Sequence, residues 1–72
     1  MTTVYIMARP RGYPEGSPII DYVVEDSDDN VLVTVNTLSD AISWARQLSF
    51  TPLVAHVRSA ADKTKPNHWR EA

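Results

Sequence analysis

From Thr37 to Phe50 the apolar residues recur at intervals of three and four, and this stripe constrains the fold more than any other feature. Leu38, Ala41, Ile42, Ala45 and Leu48 occupy one side of a helix, about 120° wide at about 100° per residue. Ser39, Ser43, Arg46 and Gln47 take the other side, and Trp44 lies on the margin next to Leu48. Thr37 is placed to cap the first turn, and Asp40 three residues on gives a capping-box spacing and complements the helix dipole. Pro52 biases Thr51 away from helical geometry, so the helix stops by about residue 50, where no glycine supplies a left-handed cap. One narrow stripe on one short helix cannot close a core alone. It requires a sheet.

Four segments have strand composition. Val4 to Ala8 is β-branched, aromatic and apolar, and suits a first strand. The next stretch, Arg9 to Pro18, holds Pro10, Pro14 and Pro18 with both glycines, Gly12 and Gly16, and is neither helix nor inner strand. Ile19 to Glu25 follows as a second strand, with Ile20, Tyr22 and Val24 on one face and Asp21 and Glu25 on the other; Val23 falls on the polar side and spoils the alternation. Asp26-Ser27-Asp28-Asp29-Asn30 has turn chemistry, with Asn30 suited to a positive φ. Val31 to Val35 returns as a third strand, making an antiparallel hairpin with Val31, Val33 and Val35 on one face. After the helix, Leu53 to Arg58 is expected to point Leu53, Ala55 and Val57 to the core and Val54, His56 and Arg58 away from it.

The expected architecture is α+β: one amphipathic helix on a small, three- to four-stranded, mostly antiparallel sheet in the order β-β-β-α-β. Residues 1–58 form the domain, and 59–72 are a tail that either packs back or stays partly disordered. The last strand runs parallel to the third if the helix carries the chain back across the sheet. Its neighbour in the sheet is open.

Seventy-two residues allow a single domain that buries only about 60% of its unfolded surface, close to the lower limit for folding without a staple. There is no cysteine, so disulfides are excluded and a reducing compartment fits. With His56 and His68 as the only histidines, no metal site is expected. Stability must come from a sufficient core or from a homodimer. The apolar fraction, 43%, and the charged fraction, 22%, are those of a globular chain. Met1 to Ala8 lacks a basic n-region and Arg9 ends its apolar run, so neither a signal peptide nor a membrane span is expected and the location is cytoplasmic.

No motif carries chemistry. Counted from Asp26, an EF-hand loop needs glycine where Val31 stands and glutamate where Thr37 stands. Gly12 and Gly16 precede a strand rather than a helix, unlike a phosphate-binding loop. His56 has the pKa class of a general base, but nothing locates a nucleophile or substrate beside it. A Ser-His-Asp set can be assembled from any chain so rich in serine and aspartate. No catalytic residue and no cofactor is assigned, and the chain is read as non-enzymatic.

Net charge is −2, unevenly placed: every charged residue from Glu15 to Asp40 is acidic, while Arg9 and Arg11 precede that block and Arg58, Lys63, Lys65 and Arg70 follow it. The candidate partner-binding residues are therefore Arg9, Arg11, His56, Arg58, Lys63, Lys65, His68, Trp69 and Arg70. Three roles fit Trp69: cover for an unclosed core, an aromatic anchor for a protein partner, or a stacking platform for nucleic acid with cations on phosphate. The acidic balance disfavours the last. A protein partner or self-association is preferred, with weak nucleic-acid binding as the alternative and no membrane.

Tyr22-Val23-Val24-Glu25, the acidic turn, the Thr37–Leu48 helix and the Lys65-Pro66-Asn67-His68-Trp69-Arg70 ending together resemble a group of short bacterial proteins of unknown function, over nearly the full chain. More distantly, the Thr-x-x-x-Ala-x-x-x-Ala helix (Thr37, Ala41, Ala45) between strands is similar to other small bacterial families. The resemblance implies a bacterial cytoplasmic origin and contributes no activity or catalytic residue.

Overall fold

The computed structural model describes residues 2–9, 18–55 and 62–72. Its elements are β1 (Thr3–Arg9), β2 (Asp21–Glu25), β3 (Val31–Val35), α1 (Leu38–Gln47), β4 (Thr51–Ala55), a 3₁₀ turn (Pro66–His68) and β5 (Trp69–Glu71). The class is α+β, but the sheet is five-stranded and mixed, ordered β3-β2-β1-β4-β5. β1 pairs antiparallel with β2 and parallel with β4, and β5 closes antiparallel on β4. The fifth strand comes from the segment expected to be a tail. Its three residues are too few to show a period of two.

The hairpin forms as its turn chemistry dictates. The Asp26 carboxylate accepts from the backbone N–H groups of Asp28 (2.8 Å) and Asn30 (3.0 Å) and from the Asn30 amide (3.1 Å). The positive φ, 68°, falls on Asp29 rather than Asn30. Between the pairs Val24↔Val33 and Glu25↔Val31 the register shifts, leaving Leu32 as an extra residue on the edge strand β3. β2 starts two residues later than expected: Ile20 donates its N–H to Arg9 O (2.8 Å) but is 74% exposed.

α1 begins at Thr37, whose Oγ1 accepts from Asp40 N–H (3.1 Å). Its end is a Schellman motif: Ser49 takes φ 62° in place of a glycine, Phe50 N–H donates to Ala45 O (2.9 Å) and Ser49 N–H to Arg46 O (3.0 Å). Trp44 and Phe50 pack at 5.8 Å across this turn, the hydrophobic contact that usually accompanies the motif. Leu48, expected in the core, is the capping residue and stays exposed.

Both faces of the sheet are covered. On the helix side Val4, Ile6, Val24 and Val54 meet Ala41 and Ala45, with Tyr22, Val33, Val35, Leu38 and Ile42 around them. The two alanines let helix and sheet approach closely, and each fully buried Ile or Val contributes about 1.5–3 kcal/mol. On the opposite side Met7, Val23 and Trp69 form a second cluster with Tyr5, Leu53 and Ala55. Two expectations about facing are thereby corrected. Val23 is no defect in alternation but part of this second core, and β4 is inverted, with Val54 toward the helix and Leu53 and Ala55 away from it. A strand covered on both faces carries apolar residues at odd and even positions alike, so period two cannot tell which set meets the helix.

Candidate partner-binding cleft

The second face is closed by residues 62–69, which lie over it as a strap. Ala55 opposes Trp69 in the register, and its small side chain leaves room for the indole to reach Tyr5. The rings meet edge to face at 4.9 Å and 72°. Trp69 is only 7% exposed, and its Nε1–H donates to Asp62 O (2.8 Å). Asp62 N–H donates to His68 Nδ1 (3.1 Å), and the Asp62 carboxylate accepts from Thr64 N–H (2.9 Å) and Oγ1–H (2.7 Å). Those Thr64 bonds hold the Asp62 carboxyl below its ordinary range.

Lys63 fastens this strap to the hairpin turn. Its ammonium donates to Glu25 Oε1 (3.0 Å), Asp26 O (2.7 Å) and Asp29 Oδ1 (2.7 Å), and stands 5.2 Å from the centre of the Tyr5 ring. Burial alone would lower its pKa, but the bonds to Asp29 and Glu25 outweigh that and raise it. Asp26 is lowered, chiefly by the bonds it accepts from Asn30. On the same face Arg9 grips Asp21 through Nε (2.6 Å) and Nη2 (2.5 Å) across the β1–β2 ladder, which raises Arg9 and lowers Asp21.

The residues singled out from sequence thus separate. Lys63 and Trp69 are engaged inside the fold, Arg9 is exposed but paired with Asp21, His68 is half-buried in the strap, and Lys65 and Arg70 are exposed. Arg11, His56 and Arg58 lie outside the described residues. A cleft of about 370 Å³ remains beside the strap, between Tyr5, Leu53, Lys63, Pro66, Trp69 and Glu71.

A second opening, about 820 Å³, lies on the helix side between α1 and β5. Two i, i+4 rows of the helix wall it: Leu38, Ile42 and Arg46 in one, Ser39, Ser43 and Gln47 in the other. Arg70 and Ala72 form the opposite wall. Apolar Leu38, Ile42 and Ala72 are flanked by hydroxyls, an amide and two guanidinium groups, and among the described residues no acidic side chain lines the space. Among the described candidates only Arg70 reaches it. Ser39, Ser43, Arg46 and Gln47 are exposed, as the helical spacing implies, but that spacing does not show that β5 stands beside them.

Among the described residues no cluster of His, Asp and Glu suits a metal, and no helix is long and apolar enough to cross a membrane. No family model, curated protein or solved structure matches the chain.

Proposed function

We propose that the chain is a small, non-enzymatic protein-interaction module of the bacterial cytoplasm that takes its partner in the α1–β5 cleft. One observation carries the reading: a lining of half-buried apolar side chains ringed by donors, Arg46 and Arg70 above all, beside a sheet edge. The perturbed ionisable groups support it from the other direction. Arg9 and Asp21 owe their shifts to each other, Asp26 to Asn30, Asp62 to Thr64 and Lys63 to Asp29 and Glu25, all away from the cleft, the pattern of structural hydrogen bonds and ion pairs. The internal use of Lys63 and Trp69 weighs against nucleic-acid binding, which would need both at the surface.

The test is a pull-down from the native host with the wild-type chain and with Ser43→Trp, which fills the cleft from an exposed helix position. Partner recovery is expected to fall at least about tenfold, a loss of about 1.4 kcal/mol. Equal recovery with both chains overturns the reading.

Self-association along β3 is the second reading, favoured by Val31 and Leu32, 57% and 41% exposed on an edge strand. Sedimentation should then show a dimer that Leu32→Lys dissociates.

A further inference from the structure

Among the described residues, the strand that bounds the cleft on one side has no neighbour on its outer edge, and the register fixes what that edge offers. β5 pairs with β4 through Leu53↔Glu71, Val54↔Arg70 and Ala55↔Trp69, and Ala72 N–H donates to Pro52 O (3.3 Å). In an antiparallel ladder successive residues turn their N–H and C=O alternately to the two neighbours. The Ala72 bond fixes the phase: Ala72 and Arg70 face β4, so the N–H and C=O of Glu71 face outward. Trp69 N–H is already taken by Pro66 O. The free edge therefore presents one donor, from Glu71, between the carbonyls of Trp69 and Glu71.

Side chains alternate in the same way. Arg70 and Ala72 point to the helix side and into the cleft, whereas Trp69 and Glu71 point to the strap side. A strand laid against β5, about 4.8 Å away, would send every second side chain into the cleft. There it would meet Arg70 and, across the opening, Arg46, in a molecule whose net charge is −2. Its intervening side chains would face Glu71.

We propose that the partner is an extended acidic segment, with carboxylates at alternate positions and neutral or basic residues between, that joins the sheet as a sixth strand on β5. This rests on the α1–β5 cleft being the binding site. So short an edge supplies few main-chain bonds, so recognition depends on the carboxylate–guanidinium pairs. A second copy is the poorer occupant: antiparallel pairing of two β5 strands about Arg70 or Glu71 sets like charges directly opposite.

The experiment uses the full chain, labelled with ¹⁵N, and two six-residue peptides: acetyl-Glu-Thr-Glu-Val-Glu-Thr-amide and the same peptide with lysine for each glutamate. The acidic peptide is expected to move the Glu71 amide downfield as it gains an acceptor, and to move the Arg46 and Arg70 Nε–H signals. Its affinity should fall about tenfold in Arg70→Glu and again in Arg46→Glu, and the double variant should prefer the lysine peptide. Amide dispersion checks that each variant is folded, and Arg70→Gln gives a milder loss if the reversal is not tolerated.

Equal shifts from both peptides would overturn the charge rule, and arginine shifts without Glu71 would replace the strand with a bare anion. Shifts that grow with protein concentration alone would put a second copy in the cleft. If neither peptide acts while Ser43→Trp still abolishes partner recovery, the acidic strand is wrong and the cleft stands. If Ser43→Trp has no effect either, both fall.

Discussion

The two faces of the sheet are closed by different physics. The helix face is an apolar contact between Val4, Ile6, Val24 and Val54 and two alanines, set by a stripe whose spacing is entirely local. The strap face is a mixed closure in which Met7, Val23 and Trp69 are apolar but the segment over them is held by an ammonium, an indole N–H and turn carboxylates. Among the described residues, every ionisable group with a shifted pKa lies on or around the strap face: Arg9, Asp21, Asp26, Asp62 and Lys63. One face should answer to volume and the other to charge as well.

The sharpest way to break that contrast is Trp69→Ala. It removes the side chain shared by strap and sheet and should cost about 3–5 kcal/mol, read from urea unfolding. A cost below about 1 kcal/mol would mean the second face is no core. Lys63→Met comes next: the stem is kept, but Glu25, itself buried, loses the cation, a loss of about 1–3 kcal/mol. Asp29 is mostly exposed and adds little to that figure. On the helix face Thr37→Ala should cost about 1 kcal/mol through the lost cap to Asp40 N–H, with no change in the Trp69 indole N–H resonance. The smallest effect is Ser49→Gly, a gain of about 0.5–1 kcal/mol from relieving the left-handed φ, seen as a small rise in Tm.

Acidity separates the faces without mutation. Asp26 and Asp62 are depressed in the folded chain, so the stability they lend is full above about pH 4 and is lost as pH falls through their folded values. Lys63 is raised, so its contribution is full below about pH 10.5 and is lost as pH rises through its folded value. The Trp69 indole N–H signal should therefore fade at both extremes before the helical circular dichroism does. Simultaneous loss would show that the faces unfold as one unit.

What could be read from the sequence follows the same division. The helix, its Thr37 cap and the Asp26 turn depend on neighbours within a few residues, and all are present, with the positive φ at Asp29 instead of Asn30 and Leu48 outside the core. The strap depends on Lys63 meeting Glu25 and Asp29 far along the chain, and no local period encodes that. Lys63 and Trp69 stood out as a cation beside an aromatic, which is the composition of a binding tail and equally of a clasp. Only the fold distinguishes them. Arg46 was the reverse case, a commonplace helix-surface arginine until β5 brought Arg70 opposite.

Lys63 also ties together residues more than thirty apart in a chain that has no cysteine. A covalent bridge over such a span stabilises largely by restricting the unfolded chain. The clasp leaves the unfolded chain free, so the ring must be closed afresh at each folding event against its full loop entropy. It is a cross-link with a lifetime, one that salt or a competing anion can open and that re-forms without an oxidant. The protein has a fastening that needs no particular redox compartment in which to close.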